Sequence, residues 1–268
     1  MKKNQKTKVK GVNSSSMIML ACLGLAIAIY YFILGNPANF VNNDPNNHPL
    51  DGNFLGMIYK GGIIVPIIQT LLLTVLALSV ERFIAIKKAE GKGNLTKFVH
   101  EINAALSAGN IAAAKEICSK QEGSVGNVVA SALTKYEQVE ADTTLSKEQQ
   151  IIAIQKEIEE ATALELPMLS QNLPIVATIV TLGTLMGLLG TVIGMIRSFA
   201  SLAGAGGTDS IALSQGISEA LINTAFGIAT GALAVVSYNY FTSRIDSITY
   251  CIDEIGFSIV NTFAASHK

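Results

Sequence analysis

Charge is scarce in this chain of 268 residues: only 15% are Asp, Glu, Lys or Arg, half are hydrophobic, and the mean hydropathy is +0.43. Ordinary soluble domains are about a quarter charged, so the deficit argues against a water-soluble globule and for a membrane protein. Cysteine is equally sparse. Cys22, Cys118 and Cys251 are far apart and in no CxxC or Cys/His ligand spacing, which leaves no basis for a disulfide framework or a metal centre. His48, His100 and His267 are scattered as well, and no Ser/His/Asp set, Walker loop or dinucleotide fingerprint is present. Conventional enzyme chemistry and a bound cofactor have no visible home. Strand-like alternation of useful length is missing too, so the chain reads as all-α. The net charge is −1, yet five lysines fall in the first ten residues with no acidic partner. That local asymmetry carries topology rather than a nucleic-acid signature.

What the chain does have is apolar length. A spanning helix needs about 20 mostly apolar residues, and four segments meet or approach that: 17–34, 61–84, 173–202 and 216–241. The first follows a basic start, as a secretory signal would. Its run is long, however, and GNPANF is a poor small-x-small cleavage site, so a retained helix is expected. The positive-inside rule places the basic N-terminus, 1–16, in the cytoplasm, and Arg82, Lys87 and Lys88 place the end of the second span there too. The Asn/Pro-rich segment 35–60 is then an external, periplasmic loop, as is 203–215. The C-terminal helix, 242–268, returns inside with Arg244 and Lys268, leaving only Lys60 and Arg197 as basic residues near the outer face.

The polar stretch 85–172 reads as a cytoplasmic helical domain. Asn94 is positioned to cap NLTKFVHEINAAL, SAGN breaks that helix, IAAAKEICSK resumes it, and GSVGNVVASALTKYEQV follows a second break. SKEQQIIAIQKEIEEATALEL opens with Ser146 and Gln149 in capping-box spacing, a pairing that satisfies two free backbone donors reciprocally. Pro167 and Pro174 are expected to bend or restart the chain as it enters the third span.

The last two spans have distinct faces. At about 100° per residue, Gly183, Gly187, Gly190 and Gly194 fall within roughly 60° of one another and make one smooth face of the third span. In lipid, where little hydrophobic force acts between helices, small-xxx-small faces let backbones approach closely. Thr184 and Thr191 share a neighbouring stripe, with Thr181 at its edge. A membrane threonine can simply bond the carbonyl one turn back, or it can line a pore, and spacing alone leaves both open. On the fourth span, Glu219, Asn223, Thr224, Gly227, Thr230 and Gly231 share a small, polar face, while Leu221, Phe226, Ile228 and Leu233 point elsewhere. An intramembrane carboxylate faces a bundle interior or an aqueous path, or else snorkels to the headgroups. Glu219, near the helix start, is open to both readings.

Three segments together, ERFIAIKKA, GLLGTVIGMIRSF and QGISEALINTAFGIATGALAVVSYNYF, resemble the MotA/TolQ/ExbB proton channel family, closer to the ExbB/TolQ branch than to MotA. The likeness runs over roughly residues 55–260. It implies a multi-pass protein of the bacterial inner membrane that assembles as a pentamer around a single-span partner resembling ExbD or TolR and works with a TonB-like energy transducer. By motif position, Thr191 in GTV and Thr224 in NTAFG match the family's pore-lining threonines, and Glu219 in SEAL matches its functionally sensitive glutamate. Asn223 and Thr184 complete the expected proton-pathway set, and Gly183, Gly187, Gly190, Gly194, Gly227 and Gly231 the expected packing set. Two departures stand out: Thr184 stands where the family commonly has proline, and the span at 17–34 is extra relative to a three-span ExbB. The function implied is proton-driven energising of outer-membrane import, without catalysis or cofactor. The alternatives are a TolQ-like or motility stator and, from another class, a non-conducting membrane scaffold. A solute transporter fits less well, because no inverted repeat or broken helix is visible.

Overall fold

The computed structural model of the protein describes residues 11–204 and 210–266. The lysines at 2–10, Lys268 and the tip of the 203–215 segment, on which part of the orientation reading rests, lie outside the described residues. Among the described residues nine α-helices follow one another: α1 (Gly11–Ala28), α2 (Phe54–Lys60), α3 (Ile64–Glu90), α4 (Leu95–Ser107), α5 (Ile111–Gln121), α6 (Gly123–Glu140), α7 (Lys147–Ser170), α8 (Leu173–Gly204) and α9 (Ser210–Ser266). No strand occurs among the described residues; the only extended pairing is an isolated bridge between Phe40 and Pro49. Among the described residues, four helices are long and apolar enough to cross a membrane. The all-α, four-span fold class expected from composition and periodicity is the one observed.

The chain divides into two compact units, Met1–Val80 with Asn172–Tyr238, and Glu81–Gln171 with Asn239–Lys268. Helices α3 and α9 contribute residues to both. In the first unit, Val75, Leu78, Val176, Ile179 and Ala234 form a buried cluster against which Ile18, Leu71 and Tyr238 pack. The opposite surfaces are apolar and exposed, with Leu20 68%, Phe32 78% and Val236 65% accessible. Apolar surface on the outside is stable only where the solvent is itself apolar, as in a bilayer. Many hydroxyls here bond backward along their own helix, including Thr70 to the Pro66 carbonyl and Thr230 to the Phe226 carbonyl, at 2.7 and 2.8 Å. Such bonds hide a polar group without a partner helix.

The segment 35–60 is a folded cap rather than a simple turn. Helix α1 widens into a π-helical turn at Ile29–Leu34, two single 3₁₀ turns follow, and α2 closes the segment. Asn39 Nδ2 donates to the carbonyls of Ile33 and Leu34, at 2.9 and 3.0 Å, satisfying acceptors that a helix end leaves free. Phe40 is fully buried, and Tyr30 stacks on Tyr59 at 4.7 Å between centroids while its hydroxyl donates to the Tyr59 carbonyl.

In the second unit the caps fall where the side chains allow them. Asn94 accepts from the Thr96 amide, Asn110 from the Ala113 amide, and Ser146 and Gln149 close the reciprocal box. A stitch joins the end of α3 to the α5–α6 turn: Gln121 Nε2 donates to the Glu90 carbonyl. Gly91 and Gly123 sit there at φ +80° and +69°, and a Cβ on either would collide with a backbone oxygen, that of Gln121 or of Ala89. Burial pushes the Cys118 thiol up to about 12 and the Cys251 thiol up to about 11. Both thiols are therefore expected to resist alkylation at pH 8 until denaturant is added; rapid labelling of the folded protein would show that this unit opens.

Three sequence expectations change in detail. The break before the third span falls neither at Pro167, which lies inside α7, nor at Pro174, which lies in the first turn of α8. It falls between them, at Asn172 with φ +68°, because proline fits an N-terminal turn and asparagine tolerates the left-handed region. The fourth span and the C-terminal helix are one helix, α9, since no proline or capping glycine interrupts them. Arg82, read above as a topological charge, is 2% exposed. Its Nη1 donates to the carbonyls of Met168 and Leu169, at 2.9 and 3.1 Å, and its Nε to Glu81, at 2.7 Å. It thus caps the C-terminal end of α7 with a charge-assisted set. Arg82→Met is expected to cost about 3 kcal/mol, because it strands two carbonyls and a paired carboxylate; unfolding in mixed micelles measures it, and an unchanged midpoint contradicts it.

Candidate functional site

Helices α8 and α9 meet along a seam of small residues. A Cβ on Gly183 would lie 3.2 Å from the Gly227 carbonyl oxygen, and one on Gly187 would lie 2.9 Å from that of Asn223. From the other side, a Cβ on Gly227 would come within 2.6 Å of the Gly183 oxygen, and one on Gly231 within 2.8 Å of Thr184 Oγ1. Further along, the space beside Gly190 is taken by Asn223 Cβ and that beside Gly194 by Ala220 Cβ, each 2.5 Å from a hypothetical methyl. The whole stripe is therefore occupied by backbone and small side chains of α9. Thr224 uses the closeness: its hydroxyl donates across the seam to the Gly187 carbonyl at 3.0 Å.

At the end of this seam lies a polar chamber of about 250 Å³. Glu219 and Asn223 enter it from α9, and Gly190, Gly194, Arg197 and Ser198 line it from α8. The third wall is the cap, which contributes Asn46, His48, Lys60 and Gly61. Lys60 is held by donation to the Asn46 carbonyl at 3.0 Å and lies over the Phe40 ring at 5.7 Å. Asn223 is 3% exposed; its Nδ2 donates to the Gly61 carbonyl at 3.0 Å, while its Oδ1 is buried and has no hydrogen-bond partner among the described residues. An unmet buried acceptor is costly in a dry interior and ordinarily marks a place for water or a cation. Lys60 and Arg197 thus line the same chamber as Glu219.

The sequence-derived residues are thus distributed over three places. Glu219 and Asn223 share the chamber with Gly190 and Gly194. Thr224, Thr184, Gly183, Gly187, Gly227 and Gly231 lie along the seam. Thr191 is elsewhere: its hydroxyl donates to the Leu188 carbonyl at 2.6 Å, and it borders a shallow apolar depression with Val192, Met195 and Phe199. Thr184 likewise bonds within its own helix, to the Val180 carbonyl. Sequence reasoning did not place Lys60 or Arg197 in the site. The signal was present, because they are the two basic residues left near the outer face.

The sequence profile of the MotA/TolQ/ExbB proton channel family matches residues 121–254, half of the chain. Among curated relatives, a protein named biopolymer transport protein ExbB-like 3 from Synechocystis is 39% identical over 88 residues, 32% of this chain and 42% of that protein. The Tol-Pal system protein TolQ of Haemophilus influenzae is 36% identical over 84 residues, 31% of this chain and 37% of its own. An ExbB homolog from Methanothermobacter thermautotrophicus is 23% identical over 195 residues, 73% of this chain and 65% of that one. The matches cover less than two thirds of each relative's length. With four apolar helices and these relatives, the protein is a multi-pass membrane protein. On this evidence of fold and sequence together, the chain belongs to the MotA/TolQ/ExbB proton channel family, on its ExbB/TolQ side.

Proposed function

We propose that this protein is the ExbB-like channel-forming subunit of an inner-membrane motor that spends the proton motive force to energise TonB-dependent import across the outer membrane. In this reading five copies surround a single-span partner of the ExbD/TolR type. The termini and the helices of 85–172 face the cytoplasm, and the cap of 35–60 faces the periplasm. The observation that carries the proposal is the polar wall built by α8 and α9 within otherwise lipid-compatible helices: Thr224 bonded across the seam, and Glu219 and Asn223 in a chamber at its end. Intramembrane carboxylates are expensive and mark ion pathways. Hydroxyls such as those of Thr191 and Thr224 can donate or accept a proton-bearing hydrogen bond without the cost of a buried charge. In this account the titrating carboxylate is the partner's, and the chain supplies the wall past which it moves. A proton crossing about 100 mV releases roughly 2.3 kcal/mol from the potential, so several protons drive one mechanical step.

A TolQ-like role in the envelope is the second reading, favoured by relatives named as Tol-Pal components. A neighbouring reading frame encoding a single-span protein with a peptidoglycan-binding domain would favour a motility stator instead. Thr191→Val combined with Thr224→Val keeps the side-chain volumes and removes both hydroxyls. Energised uptake in cells carrying the pair is expected to collapse at normal expression; uptake like the wild type's would sink the pore assignment.

A further inference from the structure

The Asn223 side chain is oriented from two sides. Its Nδ2 donates to the Gly61 carbonyl at 3.0 Å, and turning the amide over would set two acceptors against each other. Space forbids a larger swing: a Cβ on Gly190 would lie 2.5 Å from Asn223 Cβ, and one on Gly61 would lie 2.7 Å from Asn223 Oδ1. Oδ1 is therefore fixed in direction, buried, and without a hydrogen-bond partner among the described residues. A buried acceptor of this kind is costly unless some state of the protein supplies it with a donor.

A donor of the right chemistry lies one turn back. Glu219 and Asn223 are four residues apart on α9 and line the same chamber. Residues at that spacing are neighbours on one helix face, and because each Cα–Cβ bond tilts toward the helix N-terminus, Asn223 leans toward the turn that carries Glu219. A carboxylate only accepts hydrogen bonds, whereas a carboxylic acid has one O–H to donate. The ionised form of Glu219 therefore has nothing to offer Oδ1, and the protonated form has what Oδ1 lacks. The other charged or titratable groups lining the chamber, among the described residues, are Lys60 from α2, Arg197 from α8 and His48 from the cap. Lys60 is tethered to the Asn46 carbonyl, and Tyr30, from the π-helical turn, commits its hydroxyl to the Tyr59 carbonyl.

We propose that Asn223 is a positioning residue for a proton on Glu219: in the protonated state the carboxyl O–H donates to Asn223 Oδ1, and in the ionised state that bond is absent. The proton stays on the carboxyl, and the amide only accepts it in a hydrogen bond. The same amide holds Gly61, between α2 and α3. Accepting at Oδ1 polarises the amide and strengthens donation from Nδ2, so the protonation of Glu219 is felt where the cap joins α3. The inference rests on the reading of α8 and α9 as a proton path.

The test is infrared difference spectroscopy on the purified full chain in detergent over a pH series. The carbonyl band of the protonated Glu219 carboxyl is identified by its loss in Glu219→Ala, and His48 contributes no such band. Donating a hydrogen bond lowers the frequency of that band. Asn223→Leu keeps the branched shape and removes the acceptor, so the Glu219 band is expected at higher frequency in the variant than in the wild type. A band at the same frequency in both, or no Glu219 band at any pH at which the wild type stays folded, overturns the proposal. Should Asn223→Leu fail to fold, asparagine isotope-labelled at its side-chain carbonyl carbon reads the same bond by NMR with Asn223 in place. One asparagine resonance is then expected to shift together with the Glu219 band in the wild type and to stay fixed in Glu219→Ala; the lack of any such resonance overturns the proposal. Because both readouts are taken on the resting protein, loss or retention of uptake in the threonine variants is a separate result.

Discussion

Gly227→Leu is expected to leave a chain that no longer holds α8 against α9. Even the first carbon of the new side chain would lie 2.6 Å from the Gly183 carbonyl oxygen and 2.7 Å from Gly187 Cα, both backbone atoms that cannot swing aside. The helices must separate, and the Thr224 bond to the Gly187 carbonyl goes with the seam. Overpacking commonly costs 1–3 kcal/mol, and forcing backbones apart lies at or beyond the upper end, about 3 kcal/mol or more. Unfolding in mixed micelles measures the loss, and purification shows whether an oligomer survives. Gly24→Ala is the matched control, because nothing lies within 4 Å of a Cβ there. Removing a glycine from a helix interior stabilises by up to about 1 kcal/mol. Equal behaviour of the two variants would mean that the seam is not what joins these spans.

Glu219→Ala is expected to have the largest effect on activity with the smallest effect on structure. The carboxylate lines a chamber whose walls are held by other contacts: Lys60 to the Asn46 carbonyl, Asn223 to the Gly61 carbonyl, and Ala220 against Gly194. None of these needs Glu219. The expected result is normal expression and a normal oligomer with energised uptake reduced at least about tenfold, the factor that about 1.4 kcal/mol in a rate-limiting step produces. A scaffold in which glycines and threonines only pack helices would tolerate the change, so full activity in Glu219→Ala would favour that class.

Much of this was legible in the sequence because lipid simplifies the code. Long apolar helices and a capping box at Ser146 both depend on local periodicity, and both are found. The capping role of Arg82 was hidden for the same reason. Next to Lys87 and Lys88 it looks like one more topological charge, and only the return of α7 some 86 residues later brings the Met168 carbonyl to its guanidinium. The cap was opaque because asparagine and proline announce a turn without saying what the turn will cover. Asn39 and Phe40 fold it inward through contacts with Leu34 and Tyr59 that no spacing rule encodes. The chamber followed from that cap, so Lys60 registered as an exception to a charge rule before it registered as a neighbour of Glu219. Thr191 shows the opposite case: family likeness names it, whereas its own surroundings are a bond to the carbonyl at Leu188 and an apolar depression.

That depression, open on the monomer, becomes pore wall only if neighbouring copies and a partner helix enclose it, which makes conduction the decisive observable. The full chain, co-purified with the product of its adjacent gene and reconstituted into vesicles carrying an internal pH dye and an imposed potential, gives proton flux directly. The account predicts flux from the wild-type complex and little from the complex carrying Thr191→Val with Thr224→Val. Equal flux from both complexes, or none from a wild-type complex shown to be assembled, would contradict it.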